Sequence, residues 1–140
     1  METRPKIKIK KKPLDWCIET VCFLFLLAHW VAIVFVNSTL WISLIPSTLI
    51  YVVFTILQKF PHTLNYATAE VTEQNAEKLY EMGIRMAAIV KMVLVISFSI
   101  PIRQTIFKVS WFDEGLISGG SFAVIFLIAI YYIFRMSNVE

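Results

Sequence analysis

Residues Thr20 to Gln58, TVCFLFLLAHWVAIVFVNSTLWISLIPSTLIYVVFTILQ, run for 39 positions without an aspartate, glutamate, lysine or arginine. As one helix this stretch would be about 58 Å long, roughly twice the ~30 Å hydrocarbon core of a bilayer. It must therefore fold back on itself. Asn37-Ser38-Thr39 is its most polar interruption and supplies N-cap residues for a returning helix. The reading is a first span near residues 16–36 and a second near 40–58, with Trp16 and Trp41 at opposite interfaces. Pro46 falls inside the second span and should bend it. A competing turn at residues 43–48 would leave the first span too long.

The whole chain agrees with this. Of its 140 residues 58% are hydrophobic and only 16% charged, and the mean hydropathy is +0.71. A water-soluble domain is nearer half apolar and a quarter charged, so the composition excludes an ordinary soluble enzyme, a disordered tail and a disulfide scaffold. Cys17 and Cys22 are its two cysteines. Five apart on a helix, they point about 140° away from each other and are expected to be plain thiols. The basic start, Arg4 to Lys12, precedes the first span as an n-region precedes an h-region. With no small-residue cleavage site after the span, it reads as an uncleaved signal-anchor.

Beyond Lys59 the composition turns polar for some 26 residues. Residues 60–71 look irregular; Thr72 offers a cap, and a helical pattern from Glu73 to Arg85 runs on into a third span near 86–102. Within it Glu81 and Arg85 are spaced as a surface ion pair. A connection at 103–115 leads to a fourth span near 116–134. The expected fold is thus an all-α integral membrane protein, one domain of four spans with a cytoplasmic loop and helix at 59–85. With both termini inside, ten basic residues (Arg4, Lys6, Lys8, Lys10, Lys11, Lys12, Lys59, Lys78, Arg85 and Arg135) fall on the cytoplasmic side, against Arg103 and Lys108 outside.

Three polar residues lie within or at the edge of spans. His29 is near the middle of span one, where an ionisable residue is a functional candidate by default. A neutral imidazole bonded to a neighbouring helix is the plainer account. Lys91 is one to two turns inside span three. It is expected to snorkel its ammonium back to the headgroups, the alternative being a cation facing an internal cavity. Glu19, a turn past Trp16, is expected close to the headgroups. Cys22 and His29 share a helix face, but two ligands make a poor metal site. No Gly-rich phosphate loop, HExxH, GxSxG or paired-carboxylate arrangement occurs, so neither enzyme chemistry nor a metal or cofactor is expected. The basic N-terminus is expected to touch anionic lipid, not nucleic acid. Asn37-Ser38-Thr39 matches a glycosylation sequon that lies too near the bilayer to be used. Gly119 and Ala123 allow close helix packing, within the chain or between copies or membrane partners.

Two blocks carry a family resemblance: Phe60-Pro61-His62-Thr63-Leu64-Asn65-Tyr66, then Val71-Thr72-Glu73-Gln74-Asn75-Ala76-Glu77-Lys78-Leu79-Tyr80. With Pro61, His62, Asn65, Tyr66, Thr72, Asn75, Ala76 and Tyr80 in place, they resemble the cytoplasmic loop of a bacterial membrane family catalogued as domain of unknown function 1648. That domain also forms the N-terminal part of immunity proteins against the sporulation-delaying toxin. The likeness covers about residues 16–102. It implies a bacterial cytoplasmic-membrane location and a non-enzymatic binding, sensing or protective role. The segment between spans one and two that family members usually carry is here only Asn37-Ser38-Thr39, and the immunity proteins' C-terminal module is missing. Physically the blocks read either as a hinge, with Pro61 stopping span two, His62 and Asn65 bonding freed carbonyls and Thr72 capping the next helix, or as a binding site. A small oligomeric transporter using His29, Lys91 and Glu19 is the rival reading, and a membrane enzyme the remotest. The charge bias makes a prediction about sidedness: a cysteine at Asn65 should react with an impermeant maleimide only in inverted vesicles, and reaction from the outer face of intact cells would refute the assigned orientation.

Overall fold

The structure, a computed structural model, describes residues 4–35, 41–66, 69–99 and 114–139, the last segment with side chains from 119 onward. Four α-helices make it up: α1 (Pro13–Phe35), α2 (Trp41–Lys59), α3 (Ala76–Phe98) and α4 (Glu114–Ser137), with a 3-10 turn at Pro61–Thr63. No strand occurs among the described residues. The expected turn at Asn37-Ser38-Thr39, residues 100–102 of the expected third span and all but the last two residues of the connection expected at 103–115 lie outside them.

Pairwise contacts give the helix directions. Trp30 meets Trp41 edge to face at 5.8 Å, His29 bonds Ser43, and Phe23 lies against Tyr51, so α1 and α2 are antiparallel neighbours. Asp15 pairs with Arg85 and Glu19 with Lys91, which runs α3 parallel to α1. Ser97 bonds Ser121 at 2.6 Å while Tyr132 and Met136 pack beside Tyr80, so α4 is antiparallel to α3. This is an up-down bundle. Ile9 and Val139 join the cluster formed by Tyr66, Tyr80 and Met136, so both ends of the described chain lie with the 60–75 loop at one end of it.

Three helices, Pro13–Phe35, Trp41–Lys59 and Gly119–Ser137, are long and apolar enough to cross a membrane. The protein is a multi-pass membrane protein by that criterion. α3 gives no such window, because Glu81, Arg85 and Lys91 interrupt it. Yet α3 is the most enclosed helix: it packs against all three others, and none of its large apolar side chains is exposed. The exposed apolar surface belongs to its neighbours, through residues such as Phe23, Leu24, Leu49, Phe126 and Leu127. A bilayer favours this arrangement, since apolar faces turned to lipid cost nothing while charges gain from each other's company inside the bundle.

Local chemistry sets the helix ends. α1 begins at Pro13, three residues earlier than expected, because a proline suits a first helical turn and the Asp15 carboxylate accepts the Lys12 N–H at 2.9 Å. α3 begins at Ala76, three residues later than the expected Glu73. Thr72 and Asn75 occupy the intervening turn with a reciprocal pair: Thr72 N–H donates to Asn75 Oδ1 at 2.8 Å, and Asn75 N–H to Thr72 Oγ1 at 3.4 Å. This reciprocal pair closes the turn ahead of α3, whose own N-cap, Asn75, makes no side-chain cap bond. From there α3 continues without a break to Phe98.

The loop is anchored by Tyr66. Its hydroxyl donates to the Pro61 carbonyl at 2.7 Å, its ring lies 5.6 Å from that of Tyr80, and burial pushes its phenol pKa up, keeping it a neutral donor. Gly83 makes room for that ring, since a Cβ there would stand 2.9 Å from both Tyr66 Cε1 and Oη. Gly83→Ala should therefore displace the loop and destabilise the protein by about 1–3 kcal/mol. The effect is read as a lower melting temperature in detergent and faster proteolysis between residues 60 and 75.

Candidate functional site

The inward stripes of the helices are polar along much of their length. On α1, Asp15, Glu19, Cys22, Leu26 and His29 recur every three or four residues and are buried. On α2, Ser43, Ser47, Tyr51, Thr55 and Gln58 follow the same spacing, with Ser47 and Gln58 buried. α3 brings Arg85 and Lys91 against them.

Lys91 is the centre. Its Nζ donates to Glu19 Oε1 at 2.8 Å, to Glu19 Oε2 at 2.7 Å and to Thr55 Oγ1 at 3.1 Å, so its three hydrogens are all spent. The Tyr51 ring completes the shell, its centroid 4.7 Å from the ammonium. The side chain is 0% exposed. The expectation that it would snorkel to the headgroups is thus corrected: an intramembrane carboxylate is at hand, and a direct charge-assisted pair is better than a stretched stem. Glu19 faces inward for the same reason. α1 starts at Pro13, which sets Glu19 nearly two turns inside the helix, on the buried face.

Glu19 has further partners. Lys11 donates to its Oε1 at 3.2 Å. Gln58, with its amide oriented so that both ends find partners, donates to Glu19 Oε1 at 2.6 Å and accepts from the Ala88 N–H at 3.0 Å. The Lys11–Glu19–Lys91 group thus holds two cations and one anion. Just below it Arg85 donates to Asp15 Oδ1 at 3.0 Å and to Glu81 Oε1 at 3.1 Å, and Lys12 pairs with Glu81. The Glu81–Arg85 pair forms as its spacing implies. This lower layer is charge-balanced, and the upper one keeps a single surplus positive charge.

Farther along α1, His29 is fully buried, and its Nε2 shares a hydrogen bond with Ser43 Oγ at 3.1 Å. Sequence spacing put His29, Lys91 and Glu19 forward together; the structure joins Glu19 to Lys91 and sets His29 apart, ten residues or about 15 Å from Glu19 along the helix. Among the described residues no three His, Cys, Asp or Glu side chains converge as a metal-ligand set. Cys17 is exposed and Cys22 buried, both free.

The loop-motif residues serve the loop itself. Pro61, Tyr66 and Tyr80 are buried there. Asn75 Nδ2 donates to the Glu70 carbonyl at 3.0 Å. Arg4 donates to the carbonyls of His62 and Leu64, at 3.3 and 2.6 Å. The His62 ring lies edge-on to Phe60 at 6.2 Å. Tyr80 donates to the Pro5 carbonyl at 2.8 Å. The N-terminal segment is thereby strapped across the loop, an interaction that a basic composition read only as lipid-facing charge conceals.

No protein-family model, curated protein or solved structure matches the chain.

The geometry implies an asymmetry between the two members of the pair. Glu19→Gln strands a buried lysine with no carboxylate, and loss of one partner of a buried pair costs roughly 3–5 kcal/mol. Lys91→Met leaves Glu19 with Lys11 and should cost distinctly less. The double variant should recover much of the Glu19→Gln loss. Thermal unfolding in detergent micelles measures all three, and equal losses in the two single variants would contradict the assigned partners.

Proposed function

We propose that the protein is a non-enzymatic component of the bacterial cytoplasmic membrane, with four spans and both termini inside, that binds or senses through the buried Lys11–Glu19–Lys91 group. The observation that supports this best is the fully enclosed Lys91 ammonium shared between helices α1, α2 and α3. A charge pair buried this deeply contributes little net stability beside an apolar replacement of similar shape. It does fix one arrangement of three helices, and it gives a competing charge a defined place to act. The surplus cation favours an anionic competitor. With all three hydrogens of the ammonium donated to Glu19 and Thr55, the arrangement suits recognition.

The role follows from the resemblance to the membrane family whose domain occurs in toxin-immunity proteins: protection of the membrane against a toxin or envelope stress. The common end of the bundle that gathers both chain ends and the loop fits the ten basic residues assigned to the cytoplasm. The exposed Lys6, Lys8 and Lys10 contact anionic lipid there. A small transporter acting as an oligomer is the second reading, favoured by the polar stripe Ser43, Ser47, Tyr51, Thr55 and Gln58 along α2. It requires pH-dependent uptake in vesicles that disappears in Glu19→Gln.

Expression in toxin-sensitive cells tests the protective role. Survival should rise with the wild-type chain and fall back with a Glu19→Gln/Lys91→Met variant that still reaches the membrane. Unchanged killing with the wild-type chain removes the protective role.

A further inference from the structure

Serine and threonine hydroxyls on the described helices find hydrogen-bond partners, except for two of them. Thr20 donates to the Trp16 carbonyl at 2.9 Å, Thr55 to Tyr51 at 2.6 Å, Ser97 to Val93 at 2.7 Å and Ser99 to Val95 at 2.8 Å. Each returns its proton to the carbonyl one turn back, as a helix hydroxyl in an apolar setting does. Ser47 and Thr48 do not. Ser47 is fully buried, and neither Ser47 Oγ nor Thr48 Oγ1 has a hydrogen-bond partner. A third unpartnered atom, His29 Nδ1, belongs to a side chain that is itself 0% exposed. Its ring is tied to α2 through Ser43, one turn before Ser47. The surroundings are apolar: Leu26, Ala32, Ile33, Leu44 and Val95 make one core cluster at this level.

Pro46 accounts for the location. It stands inside α2 immediately before the two hydroxyls, withholds the N–H that the carbonyl of Ile42 would use, and presses its ring on that turn. Prolines persist in membrane helices where side chains or ordered water make good the loss. Here the side chains nearest the proline are themselves short of partners. Three buried polar atoms left unpaired on two facing helices would each cost about 1–3 kcal/mol. Bound water takes two to four polar partners, and unpaired hydroxyls and a ring nitrogen are of the kind it takes.

We infer that the α1–α2 interface binds water at bilayer depth, held by His29, Ser47 and Thr48 next to Pro46. This hydrated site is separate from the Glu19–Lys91 pair. It lies toward the end of the bundle where α1 and α2 are joined, opposite the charged layer. It gives His29 a hydrogen-bonding solvent inside an otherwise apolar layer, and offers the same donors to any small hydroxyl- or amide-bearing solute that displaces the water.

Cysteine reactivity tests it, because a thiol attacks as its thiolate and ionises only where water reaches it. In a Cys17→Ser/Cys22→Ala background, Ser47→Cys, Thr48→Cys and Leu49→Cys are placed singly in the protein, reconstituted in lipid nanodiscs open to solution on both faces. Leu49 is 64% exposed on the lipid side of the same turn. With a charged methanethiosulfonate reagent, Ser47→Cys and Thr48→Cys should react at least about tenfold faster than Leu49→Cys, the margin that even one unit of thiol pKa imposes. Adding His29→Leu should slow both. Equal rates at the three positions, fast or slow, overturn the proposal. Full labelling of each variant in denaturing detergent shows that the thiols are intact, and Thr48→Cys carries the test if Ser47→Cys does not fold.

Discussion

A lysine ammonium shut away from water tolerates very few surroundings, and the bundle is arranged so that Lys91 has them. Two carboxylate oxygens, a hydroxyl and an aromatic face surround Nζ, contributed by α1 and α2 to a residue of α3. Charge, hydrogen-bond count and helix register have to agree at this one place. A rotation of α1 by a single residue would carry Glu19 about 100° off the buried face and strand the lysine. Asp15 and Arg85 repeat the requirement four residues earlier on α1 and six earlier on α3, which fixes the parallel run of the two helices. Such pairs stabilise little against apolar substitutes, but mispairing costs a great deal, so they select one packing out of several that lipid-facing leucines and phenylalanines would accept.

That selection explains the division of labour among the helices. α1, α2 and α4 supply the apolar exterior, and α3, the least apolar, is enclosed by them. A helix carrying Glu81, Arg85 and Lys91 cannot face acyl chains along its whole circumference. Surrounded on three sides it does not have to. The same logic makes Gly83 small, since the loop that closes the end of the bundle must bring Tyr66 directly against the α3 backbone.

Much of this architecture was legible in the amino-acid order. The 39 uncharged residues required two antiparallel helices whatever else was true, and Glu81 and Arg85 announced their pairing by spacing. Thr72 was readable as a cap; it closes the turn ahead of the helix with Asn75, and α3 itself starts at Ala76. The intramembrane pair was harder. Lys91 read alone invites snorkelling, because hydropathy measures depth along one helix and says nothing about a neighbour 72 residues away in sequence. Glu19 was read for depth alone, from Trp16 a turn before it, and that reading leaves out its inward face. Asp15, Lys11, Thr55 and Gln58 carried no single-helix signal at all. What could have found them is the coincidence of two inward stripes: Asp15, Glu19, Cys22 and His29 on α1 against Ser43, Ser47, Tyr51, Thr55 and Gln58 on α2. Polar residues at helical spacing in two apolar runs are an expense that only facing each other offsets.

The N-terminal strap adds a last constraint to the same logic. Arg4 holds the loop carbonyls of His62 and Leu64, Pro5 receives Tyr80, and Lys11 and Lys12 reach Glu19 and Glu81. Nine residues thus connect the loop on α3 to the buried charge group between α1 and α3. Basic residues placed before a first span orient it in the membrane, and that role is satisfied by charge alone, wherever each side chain points. Hydrogen bonds to particular carbonyls and carboxylates are not needed for orientation. Their presence holds the N-terminal segment at both places, on the loop carbonyls of His62 and Leu64 and on the carboxylates of Glu19 and Glu81, so the segment packs as part of the bundle and not as a free basic tail.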